Sequence, residues 1–496
     1  MQNIAMKIGI ILLPMWSTNS APLSINYIGT SLRQDGHNVH LWDYNVLMRK
    51  HYDESKRPEE SNIWDGSYAL DWEYNEIYHK KINPLIEKTK KIYFNKLLAD
   101  IEKYEIEVIG FSIYASCMNL TIEATRLIRK FHPAVKIIYG GPTMTRVEME
   151  YFLITKDVDA IIPNEGEFAV RELVKAWEKG ETGQGVTGVK MLSDNGKSID
   201  FKFRPQAKME DLPILNFDDF DLSLYSEEVL PIMMSRGCVA KCTFCDEPNY
   251  WGKFRWRSPE HIFKELEINS KKYGITFFQS MDSLLNGVLR DFKKLVDLIN
   301  NSDLNIQFAG NVRVSKYMDS NFFQELKRAG CRYLVFGLEC GSQRILDLMK
   351  KNIKLEWAED NFKASYEAGI EVHVNLIIGF PGEEEEDFQM TLAFLSKVMK
   401  YISVVNLGVG MSIGHGQDVF INPEKYDIKL NENGTVFYDE NYQWMSKSGS
   451  NNHEVRQNRI KRIRNFLKQY KCLVNPQMDS EYKNQEVTFL SNSLQD

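Results

Sequence analysis

The sequence contains no run of about eighteen apolar residues, the length a membrane-spanning helix requires. The apolar stretch from Ile8 to Met15 is short, carries Pro14 and lacks a cleavage box, so it reads as a buried strand and not as an export signal. Cysteine is scarce, with seven in 496 residues and three of those clustered. That pattern excludes the paired framework of a secreted disulfide protein and suits a reducing cytoplasm. No G-x-G-x-x-G follows a predicted strand and opens a helix (Gly183-Gln184-Gly185-Val186-Thr187-Gly188 comes after a helix instead), so a nicotinamide or flavin dinucleotide is not indicated. Excess positive charge is lacking too. The formal net charge of -7 argues against nucleic acid as a partner.

What is present begins with alternation. Lys7–Leu13, Val39–Asp43, Val108–Ser112, Val135–Tyr139 and Ala160–Ile162 read as strands, and Pro22–Gln34, Met118–Lys130, 147–154 and Glu167–Glu178 as the helices between them. This predicts a doubly wound parallel sheet, Rossmann-like, over residues 1–203. Such sheets bind ligands beyond the carboxyl ends of their strands. Those ends carry Pro14–Thr18, Ser112–Cys117, Gly140–Thr145 and Pro163–Glu167. Gly140-Gly141-Pro142 either lets a large ligand approach the backbone or makes a plain tight turn. An insertion at about 46–98, rich in Trp64, Tyr68, Trp72, Tyr74 and Tyr78, is expected to be helical, either leaning over the ligand side or decorating the surface. A hairpin turning at Asp194-Asn195-Gly196 and a Pro-containing linker over 204–228 complete this half.

From Val229 the pattern restarts, with strands expected at 229–234, 275–279, 306–309, 333–338, 372–378 and 403–407. Six such units over 229–410 fit a partial (β/α)6 barrel, whose carboxyl-end loops carry chemistry. Directly after the first of these strands come Cys238, Cys242 and Cys245, spaced C-x3-C-x2-C with no fourth cysteine near. A structural zinc site normally has four protein ligands. Three thiolates in one loop suit a 4Fe–4S cluster with one iron left open; the alternative is a loop of incidental thiols. Residues 411–496 form a mostly helical capping region on the substrate side. Within it 451–470 reads as an amphipathic helix with a basic face, docked on the barrel or meeting an acidic partner, and the tail from about Ser480 is polar enough to be disordered.

The cysteine motif, with Phe244 before its last member, resembles the signature of radical S-adenosylmethionine (SAM) enzymes. Five more segments are similar to that family in the same order: Arg257-Ser258-Pro259-Glu260, the strand ending at Asp282, Asn311-Val312-Arg313, Gly337-Leu338-Glu339-Cys340-Gly341-Ser342 and Gly379-Phe380-Pro381-Gly382-Glu383. Upstream, Ala21-Pro22-Leu23, Ile109-Gly110-Phe111-Ser112, Tyr139-Gly140-Gly141-Pro142 and Asn164-Glu165-Gly166-Glu167 resemble the cobalamin-binding domain that precedes many of these barrels. The pair of resemblances covers about residues 5 to 410 and identifies the chain as similar to class B radical SAM methyltransferases.

The resemblance implies that Cys238, Cys242 and Cys245 hold a 4Fe–4S cluster whose open iron binds SAM, cleaved to a 5′-deoxyadenosyl radical. It implies SAM contacts at Phe244, Asp282, Arg313, Glu339, Ser342 and Gly379, and cobalamin contacts at Ser112, Tyr114, Gly140, Gly141, Pro142, Glu165 and Gly166. Trp64 or Trp72 would be candidates to cover one face of the corrin. The implied reaction is methylation of an unactivated carbon or phosphorus of a small-molecule or peptide substrate, or else cyclisation, ring contraction or another rearrangement. An electron donor such as flavodoxin or ferredoxin is implied as partner. The D-x-H-x-x-G segment that supplies a histidine to cobalt is missing, so a cobalt without a histidine from the protein is expected. After the last barrel strand the chain departs from the family's usual turn and reads Ser412-Ile413-Gly414-His415-Gly416-Gln417-Asp418; His415 is either an acid/base or binding group or a loop histidine in water.

Overall fold

The computed structural model describes residues 5–56, 62–193, 196, 198–409, 411, 413–414, 416–439, 443–470 and 473–475. His415, Asp194, Asn195 and the tail from Ser480 lie outside them.

The first sheet has strands β1 (Lys7–Leu12), β2 (Asn38–Asp43), β3 (Val108–Ser112), β4 (Lys136–Gly140), β5 (Ala160–Ile162), β6 (Lys190–Leu192) and β7 (Ile199–Phe201), in the spatial order β2-β1-β3-β4-β5-β6-β7. The first five run parallel and the β6–β7 hairpin adds antiparallel to the edge. Helices cover both faces, so the central strands are apolar throughout: β1 reads KIGIIL with all but Lys7 buried. Strand order reverses at β1, which pairs with β2 on one side and β3 on the other. The ligand crevice of such a sheet opens there, beyond the ends of β1 and β3.

The insertion is helical, as expected, with its longest helix at Asn83–Lys103. Its aromatic side chains do not face a ligand. Trp64 and Trp72 are buried with Tyr52 and Tyr78 in a core against the sheet, and their indole N–H groups donate to Asn45 Oδ1 (2.9 Å) and to the Ile63 carbonyl (2.8 Å). Aromatic richness here signals a small satellite core, not a cover for a corrin.

The second sheet contains β8 (Leu230–Ile232), β11 (Phe277–Ser280), β12 (Gln307–Val312), β13 (Cys331–Glu339), β14 (Glu371–Ile378) and β15 (Val404–Val409), all six expected strands. It gains a seventh from the C-terminal region, β16 (Leu473–Asn475), and all neighbours are parallel in the order β16-β15-β14-β13-β12-β11-β8. Among the described residues β8 and β16 do not pair, so the barrel is open. Two short strands, β9 (Ser235–Arg236) and β10 (Arg255–Trp256), flank the cysteine loop and pair antiparallel. The helix Pro259–Tyr273 starts with Ser258 Oγ accepting from His261 N–H (3.3 Å) and stops at Gly274 in the left-handed region.

The linker is welded in place. Arg33 forms a bidentate pair with Asp219, Asn26 donates to the Asn216 carbonyl (2.8 Å), and Tyr225 O–H donates to buried Asp43 (2.9 Å). At the far end, the helix His453–Leu467 docks on the barrel, yet its charge is not all outward. Arg456 and Arg459 are buried, Arg459 pairing with Glu383 at 2.9 Å.

Candidate functional site

The cysteine loop leaves β9 through Gly237, whose φ of +81° turns the chain where a Cβ would press on Trp251 and Lys253. All three thiols are free and half-buried. Ala240 N–H points at Cys238 Sγ (3.4 Å), and Cys245 N–H closes a turn on the Cys242 carbonyl (3.2 Å). Burial raises the Cys245 thiol to about 12 and also raises Cys242, with Lys351 and Arg313 pulling the latter back. Bare thiolates are therefore disfavoured here, and bound metal is what would supply the missing positive charge. Among the described residues no three such side chains converge on a single ion. Ligands to three different irons of one cluster need not converge.

Behind the loop, Asp282 is buried and accepts from the N–H of Met234 (3.1 Å), the N–H of Ser235 and the hydroxyl of Ser280. Burial raises its carboxyl, and those donors counter the rise. With three donors on its two oxygens, Asp282 braces the entry to the cysteine loop. Ser342 is also committed. It is fully buried and donates to Asp387 Oδ1 at 2.6 Å. Gly379 stands at φ +82°, its N–H donating to Glu383 Oε2 (2.7 Å) and its carbonyl accepting from Asn451 (3.3 Å). Any side chain there would strike Arg456. Gly379 is thus a rigid wall tied down by the C-terminal helix.

Glu339, Arg313 and Phe244 do come together, around a residue that sequence reasoning missed. Lys351 Nζ is 2.7 Å from Glu339 Oε1 and 5.7 Å from the Phe244 ring, and Arg313 donates to the Lys351 carbonyl. Burial pulls the Lys351 ammonium down, but the Glu339 carboxylate outweighs it and the net direction is upward. Glu339 ends β13 at φ +69°, in the left-handed region where strain is kept only if the surroundings enforce it. Nothing local distinguishes Lys351 from exposed Lys350 in sequence.

The carboxyl edge of the first sheet carries a second group of the expected residues. Trp16, after β1, stacks on Tyr114, after β3, with centroids 3.5 Å apart and planes 11° from parallel. This aromatic shelf spans the switch point; Trp16 is 37% exposed, Ser112 half-buried and Pro142 exposed. Two glycines have another reason to be glycine. A Cβ on Gly141 (φ +106°) would lie 2.7 Å from Ile113 N, and one on Gly166 would lie 2.9 Å from Ile28 Cδ1. Gly140 accepts at its carbonyl from Ile113 N–H (2.8 Å). The turn is a packing device of the sheet itself.

Glu165 does not face the shelf as a free acceptor. It pairs with Arg255 and stands 3.4 Å from Arg236, while Arg236 pairs with Glu167. The Arg236 guanidinium lies over the rings of Trp251 (4.9 Å) and Tyr27 (5.5 Å). This buried quartet joins the end of β5 to β9 and β10, and so ties the first sheet to the cysteine loop.

Residues 232–395 match the model of the radical SAM superfamily. The chain is 28% identical over 314 residues to an uncharacterized methyltransferase of Pyrococcus horikoshii, covering 62% of this chain and 67% of that one. It is 22% identical to the anaerobic magnesium-protoporphyrin IX monomethyl ester cyclase of Rubrivivax gelatinosus, over 58% of this chain and 53% of the cyclase. Among solved structures it is similar to the cobalamin-dependent SAM radical enzyme OxsB with aqua-cobalamin and SAM bound (TM-score 0.64, 16% identity, 85% of this chain and 56% of that chain). It is also similar to the radical SAM methyltransferase TsrM of Kitasatospora setae with cobalamin and a 4Fe–4S cluster bound (TM-score 0.63, 16% identity, 89% and 83%). The chain thus spans about half the length of the cyclase and of OxsB. Residues 232–395 thus carry a radical SAM domain, with the cysteine loop following β8, and the chain as a whole shares the fold of these two neighbours.

Proposed function

We propose that the chain is a cobalamin-dependent radical SAM enzyme that methylates an unactivated carbon or phosphorus centre of a small-molecule or peptide substrate. The observation that carries this reading is the quartet of Arg236, Arg255, Glu165 and Glu167, which ties the carboxyl end of β5 in the first sheet to β9 and β10, the strands flanking the loop of three free thiols. When bound, the cluster with SAM supplies a carbon-centred radical, and cobalamin supplies a transferable methyl group.

The residues fit these groups. Three desolvated thiols without a fourth suit a cluster with an open iron. The flat Trp16–Tyr114 shelf suits a planar macrocycle. The loops at 13–18, 113–117, 140–145 and 163–167 contain no histidine, so cobalt would receive none from them. His37 is occupied by Met6 N–H (3.3 Å), and His40 packs on the Tyr104 ring (4.1 Å).

Of the chain's own groups, Phe244 would wall the adenine and Glu339 would accept from ribose hydroxyls. Arg313 and Lys351 are the cations within reach of a carboxylate, since Ser342 is spent on Asp387. Reduction would come from a donor of the flavodoxin or ferredoxin type. Half-buried thiols of this kind stay reduced in the cytoplasm, which is the compartment the reading implies.

Anaerobic reconstitution followed by elemental analysis is expected to give about four irons and one cobalt per chain. Iron without cobalt would remove the cobalamin part of the reading. The similarity to the cyclase favours a second outcome, a rearrangement without methyl transfer. Product mass separates the two, because only the first adds a methyl group.

A further inference from the structure

The interior of the open barrel is not filled as an ordinary parallel barrel is. Side chains alternate along each strand. On β13 and β14 the helix-facing set, Leu334, Phe336, Leu338, Val372, Val374 and Leu376, is fully buried. The opposite set faces the lumen and is only half-buried: Val335 and Gly337 on β13, and His373, Asn375 and Ile377 on β14. Neighbouring strands continue this with Gln279, Asn311 and Asn406, also half-buried. A packed barrel interior is dominated by Val, Ile and Leu. Here four neutral amides stand where those would be.

The register sets their height. Gly337, Asn375 and Asn406 are direct neighbours across β13, β14 and β15, about 5 Å apart in succession. A Cβ on Gly337 would lie 2.7 Å from Glu339 Oε1 and 2.8 Å from Lys351 Nζ, so the Glu339–Lys351 pair borders this row. Asn406 donates to Asn375 Oδ1 (2.8 Å), which leaves the Asn375 N–H groups and Asn406 Oδ1 open. Asn311 donates to the Asp282 carbonyl (2.9 Å) and keeps its own Oδ1 open. Below, Tyr333 stacks on His373 at 4.3 Å and donates to Gln279, which closes the floor.

We infer that this lumen is a substrate chamber for an uncharged portion of the substrate that both donates and accepts hydrogen bonds, such as an amide or a hydroxylated ring. The inference rests on the function proposed above. The cations bordering the chamber are committed elsewhere: Lys351 pairs with Glu339 and Arg313 holds the Lys351 carbonyl, both on the side assigned above to the SAM carboxylate, and His373 faces Glu371 (3.4 Å). A carboxylate or phosphate at the level of Asn375 would be desolvated without a counter-charge, which is costly. An uncharged group matches the open donors of Asn375 and the open acceptors of Asn406 and Asn311.

The test uses saturation-transfer NMR on the reconstituted, SAM-loaded chain with four probes: N-methylacetamide, methyl glucoside, acetate and methyl phosphate. The neutral pair should bind, and Asn375→Leu combined with Asn406→Leu should weaken them about tenfold, as loss of one hydrogen bond would. Tighter binding of acetate or methyl phosphate than of the neutral pair overturns the inference, as does unchanged neutral-probe affinity in the double variant. Should that variant fail to fold, Asn375→Asp replaces it; the substitution removes the two open donors, and retained affinity for the neutral probes overturns the inference equally. Probe binding needs no radical chemistry. A chain that prefers the neutral probes but transfers no methyl group overturns the proposed reaction and leaves the chamber standing.

Discussion

Arg236→Met tests whether the buried quartet holds the two sheets together. The wild-type quartet is charge-balanced, with two guanidinium and two carboxylate groups, and the side chains of Arg236, Glu165 and Glu167 are 2%, 8% and 7% exposed. Methionine keeps most of the volume against Tyr27 and Trp251 but removes the cation from Glu167. Glu165 retains Arg255. Removing one partner of a buried pair costs about 3–5 kcal/mol, because a desolvated charge is left behind. Adding Glu167→Gln removes that orphan charge, so the double variant should recover at least about 2 kcal/mol of the loss. In the wild type burial raises the Glu167 carboxyl, Arg236 outweighs this, and the net direction is below the ordinary carboxylate value. Its contribution is therefore present above the ordinary carboxylate range and lost as pH falls through the lowered folded value. Chemical denaturation of the four members of the cycle, followed by circular dichroism at neutral pH and again near pH 4, measures both effects. Additive variants, or an Arg236→Met chain as stable as wild type, would refute the clamp.

Three other outcomes follow from the geometry. Cys242→Ala should abolish cluster absorbance after reconstitution while the first sheet keeps its far-ultraviolet signature, because the thiol lies outside that sheet's core; retained absorbance would remove Cys242 from the ligand set. Gly337→Ala should displace the Glu339–Lys351 pair and weaken SAM binding about tenfold with the fold intact, as equilibrium dialysis would show. Burial raises Asp43 to about 6 despite its bonds from Tyr225 and Val46, so the folded state holds the extra proton between the ordinary carboxylate value and pH 6, and stability falls as pH rises through that window by about 3 kcal/mol. Asp43→Asn keeps an oxygen for the Val46 N–H and turns its amide N–H to donate to the Tyr225 hydroxyl, and should flatten that slope in denaturation midpoints taken at pH 4.5 and 7.5; an unchanged slope would show that Asp43 is not its source.

Elements whose cause is local were legible before any coordinates. Strands β3 and β5 and the helix Glu167–Glu178 have the bounds their apolar patterns predict, and Ser258-Pro259 with Gly274 delimits its helix through capping alone. What the sequence does not show has a non-local cause. Gly141 is already demanded by the Ile113 backbone lying against it, whether or not a ligand approaches, and the two possibilities look alike in a G-G-P turn. Glu165 looked like a ligand-side acceptor because its partner Arg255 is 90 residues away. Strand β16 is three residues long and exists only because β15 offers it an edge. The lumen lies between these cases. The alternation of β14, with His373 and Asn375 between Val372, Val374 and Leu376, is plain in the sequence and was read only as a strand. Polar residues on one face of a strand ordinarily mean water on that face. In a parallel sheet curled toward closure the same face is the interior, so the amides that would mark a solvated surface in a flat sheet mark a chamber here. That is why the chemistry of the substrate's uncharged portion becomes readable only once the order and register of β11 to β15 are known.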